Sequence, residues 1–514
     1  MKKPNILLIT TDTQRCDTLR CMGSEWAISP NIDRLAASGV LFNQAHTSAP
    51  VCMPARSCLI TGLHTPVHGA IENGTTRQTH FPTFPDLLKA EGYHNIIVGK
   101  THFGAIPEGF DVVLDSEYKD YLKDRGYDPD DLKVQPTPIP EKHFRETWMV
   151  DQTIAEIEKS KNNDAPFFAF CSMPAPHPPE TPPGEWLNCY RDVPLPPLNY
   201  TPGEEQHQPE HTKRLLGIEA KNRCVDGESK TDVTYWREAI GRIYEEENEE
   251  TIHEVRRLYY AFAAYCDAQV GRLIDYLEEN HLRENTLVIF TSDHGQQYFD
   301  HGFNDKHNWY DESWRIPFIM SMPGTLPEGE TRDFAIWNDI PTTVLKVAGT
   351  SCQTMQGFDL FTPLVEGRPS PRKCAVASLY KSCAFATEKW KLEYYIEEGT
   401  GRLFDRVNDP CEQTDRYSDP EFAFIRAELT QALLTWRSDI MDLHTLIEGT
   451  TTKSKPVAQR KDSRSGYLLV APRIALHTRA MRGTDSEERL NERATRIDNL
   501  TDLAASRLNP GRTL

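Results

Sequence analysis

Residues 5–11, Asn-Ile-Leu-Leu-Ile-Thr-Thr, run almost without polar interruption into Asp12, and the pattern returns at 287–291, Leu-Val-Ile-Phe-Thr, which runs into Ser292-Asp293-His294-Gly295. A strand that is apolar at successive positions is buried on both faces, as a central parallel strand is. Such a strand delivers the residue after it to the carboxyl edge of its sheet. Further strand patterns at 93–98, 166–173 and 316–320 alternate with helical patterns at 83–91, 146–160 and 251–280. Ser29-Pro30 through Gly39 reads as one more helix, with a cap, an early proline and a terminal glycine. The alternation predicts an α/β fold, a large and mostly parallel sheet flanked by helices.

The pattern changes after about residue 370. Short alternating runs at 375–379, 384–387, 391–395 and 401–405, followed by a helical stretch near 420–440, predict a smaller α+β unit with an antiparallel sheet. The expected organisation is a catalytic α/β domain over 1–370, a C-terminal subdomain over 371–450 and an extension over 451–514. That extension, rich in arginine and poor in apolar clusters, reads as a docking arm, an oligomer contact or a partly disordered tail. Residues 174–245, rich in Pro, Glu and Lys, read as an irregular excursion bordering a substrate pocket.

The formal net charge of −19 argues against nucleic acid or an anionic membrane as partner. An anionic small substrate therefore needs a locally positive pocket. The apolar run at 5–9 is too short for a signal peptide and lacks a cleavage site, so the chain as written reads as cytoplasmic, or as periplasmic or secreted if a leader has been removed. The 12 cysteines show no Cys-x-x-Cys pair and read mostly as reduced core thiols.

Cys52 is the exception. In Cys52-Met53-Pro54-Ala55-Arg56 the proline suits a first helical turn, Arg56-Ser57-Cys58-Leu59-Ile60-Thr61 continues the helix, and Gly62 ends it. Position 52 then sits at the positive end of a helix, where an anion is favoured. Asp12, Asp293 and His294 arrive at strand ends, and two carboxylates beside an imidazole call for a neutralising divalent cation.

In this order the motifs resemble the sulfatases of the alkaline phosphatase superfamily, in which the cysteine of Cys-x-Pro-x-Arg is oxidised to formylglycine. The resemblance also takes in Thr61-Gly62, Gly99-Lys100-Thr101-His102-Phe103-Gly104, Pro176-His177-Pro178, Lys306 ahead of Trp314-Arg315-Ile316-Pro317, Leu403-Phe404-Asp405 and Asn408-Asp409-Pro410. It implies hydrolysis of a sulfate monoester, with a sulfated saccharide as the first choice of substrate, and maturation by a formylglycine-generating enzyme. It also implies that Asp12, modified Cys52, Asp293 and His294 hold the metal, and that Arg56, Lys100 and Lys306 stabilise sulfate oxygens. His177 is then the acid for the leaving alcohol and His102 the base that collapses the sulfated hemiacetal.

Many sulfatases carry two adjacent acids after the first strand and Asp-Asn at the later turn. Thr11-Asp12 and Asp293-His294 depart from that pattern, which keeps calcium first and admits manganese. The Asp-His pair also resembles the choline sulfatase and phosphonate monoester hydrolase branches, so hydrolysis of choline sulfate or of a phosphonate or phosphate ester is the alternative. Trp186, Trp236 and Trp309 are candidate walls of a carbohydrate pocket, a homo-oligomer is compatible with the extension, and His301, His307 and Asn308 stay outside the expected site.

Overall fold

The computed structural model describes residues 3–161, 165–215, 249–451 and 484–508. Its main sheet has eight strands: β1 (Asn5–Thr11), β2 (Val40–His46), β3 (His94–Gly99), β4 (Val112–Leu114), β5 (Phe167–Ser172), β6 (Thr286–Ser292), β7 (Phe318–Ser321) and β8 (Glu330–Ile336). They lie in the order β4-β3-β5-β1-β6-β7-β2-β8, all parallel except β7, which runs against β6 and β2.

Strands β1 and β6 are buried at every position, because helices cover both faces. Side chains alternate between those faces. Ile6, Leu8, Leu287 and Ile289 pack with Ala55, Leu59, Ile340 and Val344 on one side. Leu7, Ile9, Val288 and Phe290 pack with Ile32, Val150, Val270 and Ile274 on the other. The register then fixes where chemistry can occur. Thr10 lies opposite Ser172, Gly99 opposite Ser172, and Thr11 opposite Ser292, so β3, β5, β1 and β6 end nearly level.

The strands expected at 93–98, 166–173 and 286–291 form within a residue or two of their expected limits. The run at 316–320 begins its strand only at Phe318, since Pro317 has no N–H to give a ladder. Strands β2, β4 and β8 escaped the sequence pattern for separate reasons. Asn43 and Gln44 interrupt β2, β4 has only three residues, and β8 is an edge strand whose first half alternates exposed polar side chains.

A second sheet of four antiparallel strands follows: β9 (Ala375–Leu379), β10 (Ser382–Ala386), β11 (Trp390–Tyr395) and β12 (Thr400–Asp405). Val376, Phe385, Leu392 and Leu403 pack against Leu429, Leu433 and Trp436 of the helix Ala423–Thr451. The helix Asp485–Leu508 adds Leu490, Ala494 and Ile497 to the same core. Within the extension expected as a docking arm, an oligomer contact or a partly disordered tail, this helix docks on the small sheet: three apolar residues at helical spacing among many charges build a buried stripe. Glu487, fully buried, accepts from His64 Nε2 (2.8 Å), Trp436 Nε1 (2.9 Å) and Arg372 Nη1 (2.8 Å), and Arg372 forks onto Asp339 with two bonds of 2.7 Å.

The excursion at 174–245 is represented by short turns at Gly184–Asn188 and Glu204–His207 and the helix Glu210–Leu215; residues 216–248, with Trp236, lie outside the described set. The described cysteines are all free. Among the described residues, no helix is long and apolar enough to cross a membrane.

Candidate active site

Helix Cys52–Thr61 begins where β2 has delivered the chain to the carboxyl edge. Val51 is extended and Cys52 is the first helical residue, with Pro54 in the opening turn where a missing N–H costs nothing. Gly62, at φ 68°, ends the helix and returns its N–H to Cys58 O at 2.7 Å. Val51 offers no side-chain cap; instead Asn73, from a distant loop, accepts from Met53 N at 3.2 Å.

Asp12 follows β1, and Asp293 and His294 follow β6. Together with Cys52 they present four ligand atoms that all lie within 4.8 Å of one another, every one of the four residues buried. Cys52 Sγ is 3.1 Å from His294 Nε2 and 3.7 Å from Asp12 Oδ1. His294 Nδ1 donates to Gly295 O at 2.7 Å, which fixes the tautomer and turns the Nε2 lone pair to the cluster. Only glycine serves at 295, because a Cβ there would stand 1.9 Å from Glu312 O. Asp293 Oδ1 accepts from Thr13 N (3.2 Å) and His294 N (3.0 Å).

Arg56 is wholly buried and its guanidinium is committed to the protein. Nε donates to Asp293 Oδ2 at 2.8 Å, Nη2 to Asp12 Oδ2 at 3.2 Å, and Nη1 to Ser172 Oγ at 2.7 Å and Lys100 O at 3.1 Å. Lys100 follows β3 and its Nζ donates to Asp12 Oδ2. Lys306 Nζ donates to His177 Nε2 at 3.2 Å, and His177 Nδ1 donates to Pro178 O at 2.8 Å. His102 has a left-handed backbone at φ 40°, and its buried Nδ1 finds no partner among the described residues. The fold thus brings together all nine expected residues: Asp12, Cys52, Arg56, Lys100, His102, His177, Asp293, His294 and Lys306.

Electrostatics separates their roles. Burial alone would raise the Cys52 thiol, but Lys100, Lys306 and His294 outweigh it and hold the group well below its ordinary value. Burial and Cys52 push Asp12 upward, and Lys100, His177 and Arg56 overcome them, so its carboxyl is held down. Asp293 is pushed up to about 6 by burial and by Asp12. Burial and Lys306 lower His177, which therefore stands as a neutral imidazole. Position 52 is the focus of a cationic cradle. Two buried carboxylates, a sulfur position and an oriented imidazole nitrogen beside it make a donor set that fits a divalent cation.

Other expectations are redrawn. Trp309 is buried against Trp314, and Trp186 packs against Tyr265, so the proposed carbohydrate wall loses the first to the core and turns the second toward a helix. His301 stacks on Tyr310 at 3.6 Å and meets Glu204, while Asn308 braces Gln297. His307 meets Glu72 at 3.2 Å beside Lys306. Ser172, which joins Arg56 to Lys100, and the pair Glu72-Asn73 were missed; the place of Ser172 at the end of β5 was the one available signal.

Residues 4–350 match the family model described as Sulfatase, and residues 299–439 match that described as N-sulphoglucosamine sulphohydrolase, C-terminal. N-acetylglucosamine-6-O-sulfatase of Bacteroides thetaiotaomicron is 27% identical over 486 residues, covering 84% of this chain and 86% of its own. Phosphonate monoester hydrolase of Agrobacterium radiobacter superposes with a TM-score of 0.74 at 23% identity, covering 85% of this chain and 96% of that one. A protein solved in complex with its substrate D-glucosamine-2-N,6-O-disulfate superposes with a TM-score of 0.69 at 24% identity, covering 86% and 99%. These two likenesses establish the alkaline phosphatase-like fold. The match to the Sulfatase model runs from the strand that carries Asp12 past the turn that carries His294 and beyond Lys306, and the chain, a sulfuric ester hydrolase, belongs to the sulfatase family.

Proposed function

We propose that the protein hydrolyses the sulfate monoester of a sulfated carbohydrate, with formylglycine made from Cys52 as nucleophile and one divalent cation at Asp12, residue 52, Asp293 and His294. The observation that carries this reading is the position of Cys52 Sγ, at a helix start, within the four-ligand cluster and under the field of Lys100 and Lys306. The relative named N-acetylglucosamine-6-O-sulfatase supports a sugar as the leaving alcohol. Calcium is the first choice for two carboxylates, and the nitrogen of His294 admits manganese.

When bound, the cation neutralises the carboxylates and polarises an oxygen of the transferring group. The hydrated aldehyde at 52 offers two hydroxyls, one to attack sulfur and the other to expel sulfate afterwards. Lys100 and Lys306 hold the remaining sulfate oxygens. Arg56, with its donors spent on Asp12, Asp293, Ser172 and Lys100, acts as a positioning residue for the ligands. Since His177 Nε2 already accepts from Lys306, the proton for the leaving oxygen is held by the Lys306–His177 pair. His102, beside Cys52, serves as base in the release step.

Peptide mass spectrometry around residue 52, on protein made together with a formylglycine-generating maturation enzyme, tests the nucleophile. An unmodified thiol in a fully active preparation overturns it, as does substantial turnover by Cys52→Ala. The Asp293-His294 pair keeps a second reading in play, hydrolysis of choline sulfate or of a phosphonate or phosphate ester. Side-by-side kcat/KM on aryl sulfate and aryl phosphonate decides, with sulfate expected to be faster.

A further inference from the structure

Glu72 belongs to none of the groups above, yet it is tied to both sides of the nucleophile. Its neighbour Asn73 accepts from Met53 N at 3.2 Å, directly beside Cys52. Its own Oε1 accepts from Asn73 N at 2.8 Å and meets His307 Nε2 at 3.2 Å. His307 follows Lys306 and donates its N–H to Pro50 O at 3.3 Å, two residues before Cys52. The loop is stiff as well as close: Thr75 Oγ1 accepts from Ile71 N and Glu72 N, both at 3.0 Å, and donates to Glu72 O at 2.6 Å. Gly74, at φ 85°, supplies the left-handed turn this requires.

His307 is nearly buried, whereas the Glu72 side chain remains 32% exposed. Its Oε2 has no partner among the described residues. A rigid carboxylate with one oxygen spent on the scaffold and the other open is a hydrogen-bond acceptor for whatever enters beside position 52. Sulfate is not that group, since like charges repel. A neutral hydroxyl of the leaving alcohol meets no such repulsion.

We propose that Glu72, held by His307 and Asn73, is a specificity residue that accepts a hydrogen bond from a hydroxyl of the leaving alcohol and so selects polyhydroxylated alcohols over apolar ones. This rests on the sulfatase reading of the site and adds the residue that recognises the alcohol. The same carboxylate disfavours an alcohol that carries a second sulfate next to that hydroxyl.

The test compares wild type, Glu72→Ala and Glu72→Gln, each with formylglycine at 52 verified, on three esters: N-acetylglucosamine 6-sulfate within a panel of hexose and hexosamine monosulfates, choline sulfate, and 4-nitrophenyl sulfate. For the best sugar ester, Glu72→Ala should lower kcat/KM about 10- to 100-fold more than it does for 4-nitrophenyl sulfate, which has no hydroxyl to offer. Glu72→Gln, which keeps an acceptor oxygen, should recover part of the difference. The comparison is a ratio within one preparation, so partial misfolding of a variant cancels. Equal losses on the two esters overturn the inference, as does a loss confined to choline sulfate, which would mark an attraction for cations. Wild-type enzyme that cleaves 4-nitrophenyl sulfate and no sugar ester overturns the role of Glu72 and leaves the sulfatase reading intact; one that cleaves none of the three removes both.

Discussion

Arg56 Nε donates to Asp293 Oδ2 at 2.8 Å in a place where neither side chain reaches solvent. The residue next in charge, Asp12, shares the same guanidinium. Removing that cation leaves two buried carboxylates with less compensation. Breaking a buried pair in this way costs about 3–5 kcal/mol. Arg56→Ala should therefore lower the unfolding free energy of the metal-free protein by that order and reduce kcat by at least ~100-fold. Arg56→Lys should recover little, because a point charge cannot span both acids and Ser172. Thermal melts with and without calcium, alongside kcat, check this; a lysine variant near wild type would contradict it.

Removal of the metal is the second expectation. Chelation should abolish turnover and lower Tm, and titration of calcium should restore both at one ion per chain, since binding to the folded state alone stabilises it. Elemental analysis of the purified protein gives the stoichiometry. Full activity after exhaustive chelation would remove the metal from the reading.

His177 and Lys306 make the third. Their 3.2 Å hydrogen bond places one proton between them. His177→Ala should reduce turnover of esters with poor leaving groups at least ~10-fold more than that of 4-nitrophenyl sulfate, which leaves without a proton. Equal losses on both classes would take the acid role away from the pair.

Glu487 gives a pH dependence. Burial alone would raise its carboxyl, but Arg372 and then His64 bring it from 4.5 down to about 2. A folded-state pKa below the unfolded one stabilises at pH above about 4.5, and that contribution is lost as pH falls toward about 2. Its size is on the order of 3 kcal/mol. Glu487→Gln should lower Tm at neutral pH and flatten the acid limb between pH 5 and 2 (approximate limits set by the shift). Urea midpoints across that range test it, and an unaltered acid limb would count against the pairing.

Strand ends were the most legible part of this molecule. Asp12, Asp293 and His294 follow apolar runs whose burial on both faces is written in every residue, and the flush register of β1 and β6 does the rest. The helix at Cys52 was equally plain, through Pro54 and Gly62. What stayed hidden depended on partners far away in the chain. The commitment of Arg56 to Asp12 and Asp293 emerges only when β1 and β6 lie side by side, and no local pattern announces that Asn73 will cap Met53. The helix Asp485–Leu508 was obscured by its charges: Leu490, Ala494 and Ile497 are too few to stand out until the small sheet supplies the other half of the core.

Cys52 is only 1% exposed, and His64, just past the glycine that ends its helix, meets Glu487, 423 positions downstream. The segment that leaves the nucleophile's helix is thereby tied to a helix near the far end of the described chain. A chain cut short ahead of residue 485 keeps every residue of the site and still leaves His64 and Arg372 without a buried acceptor they share.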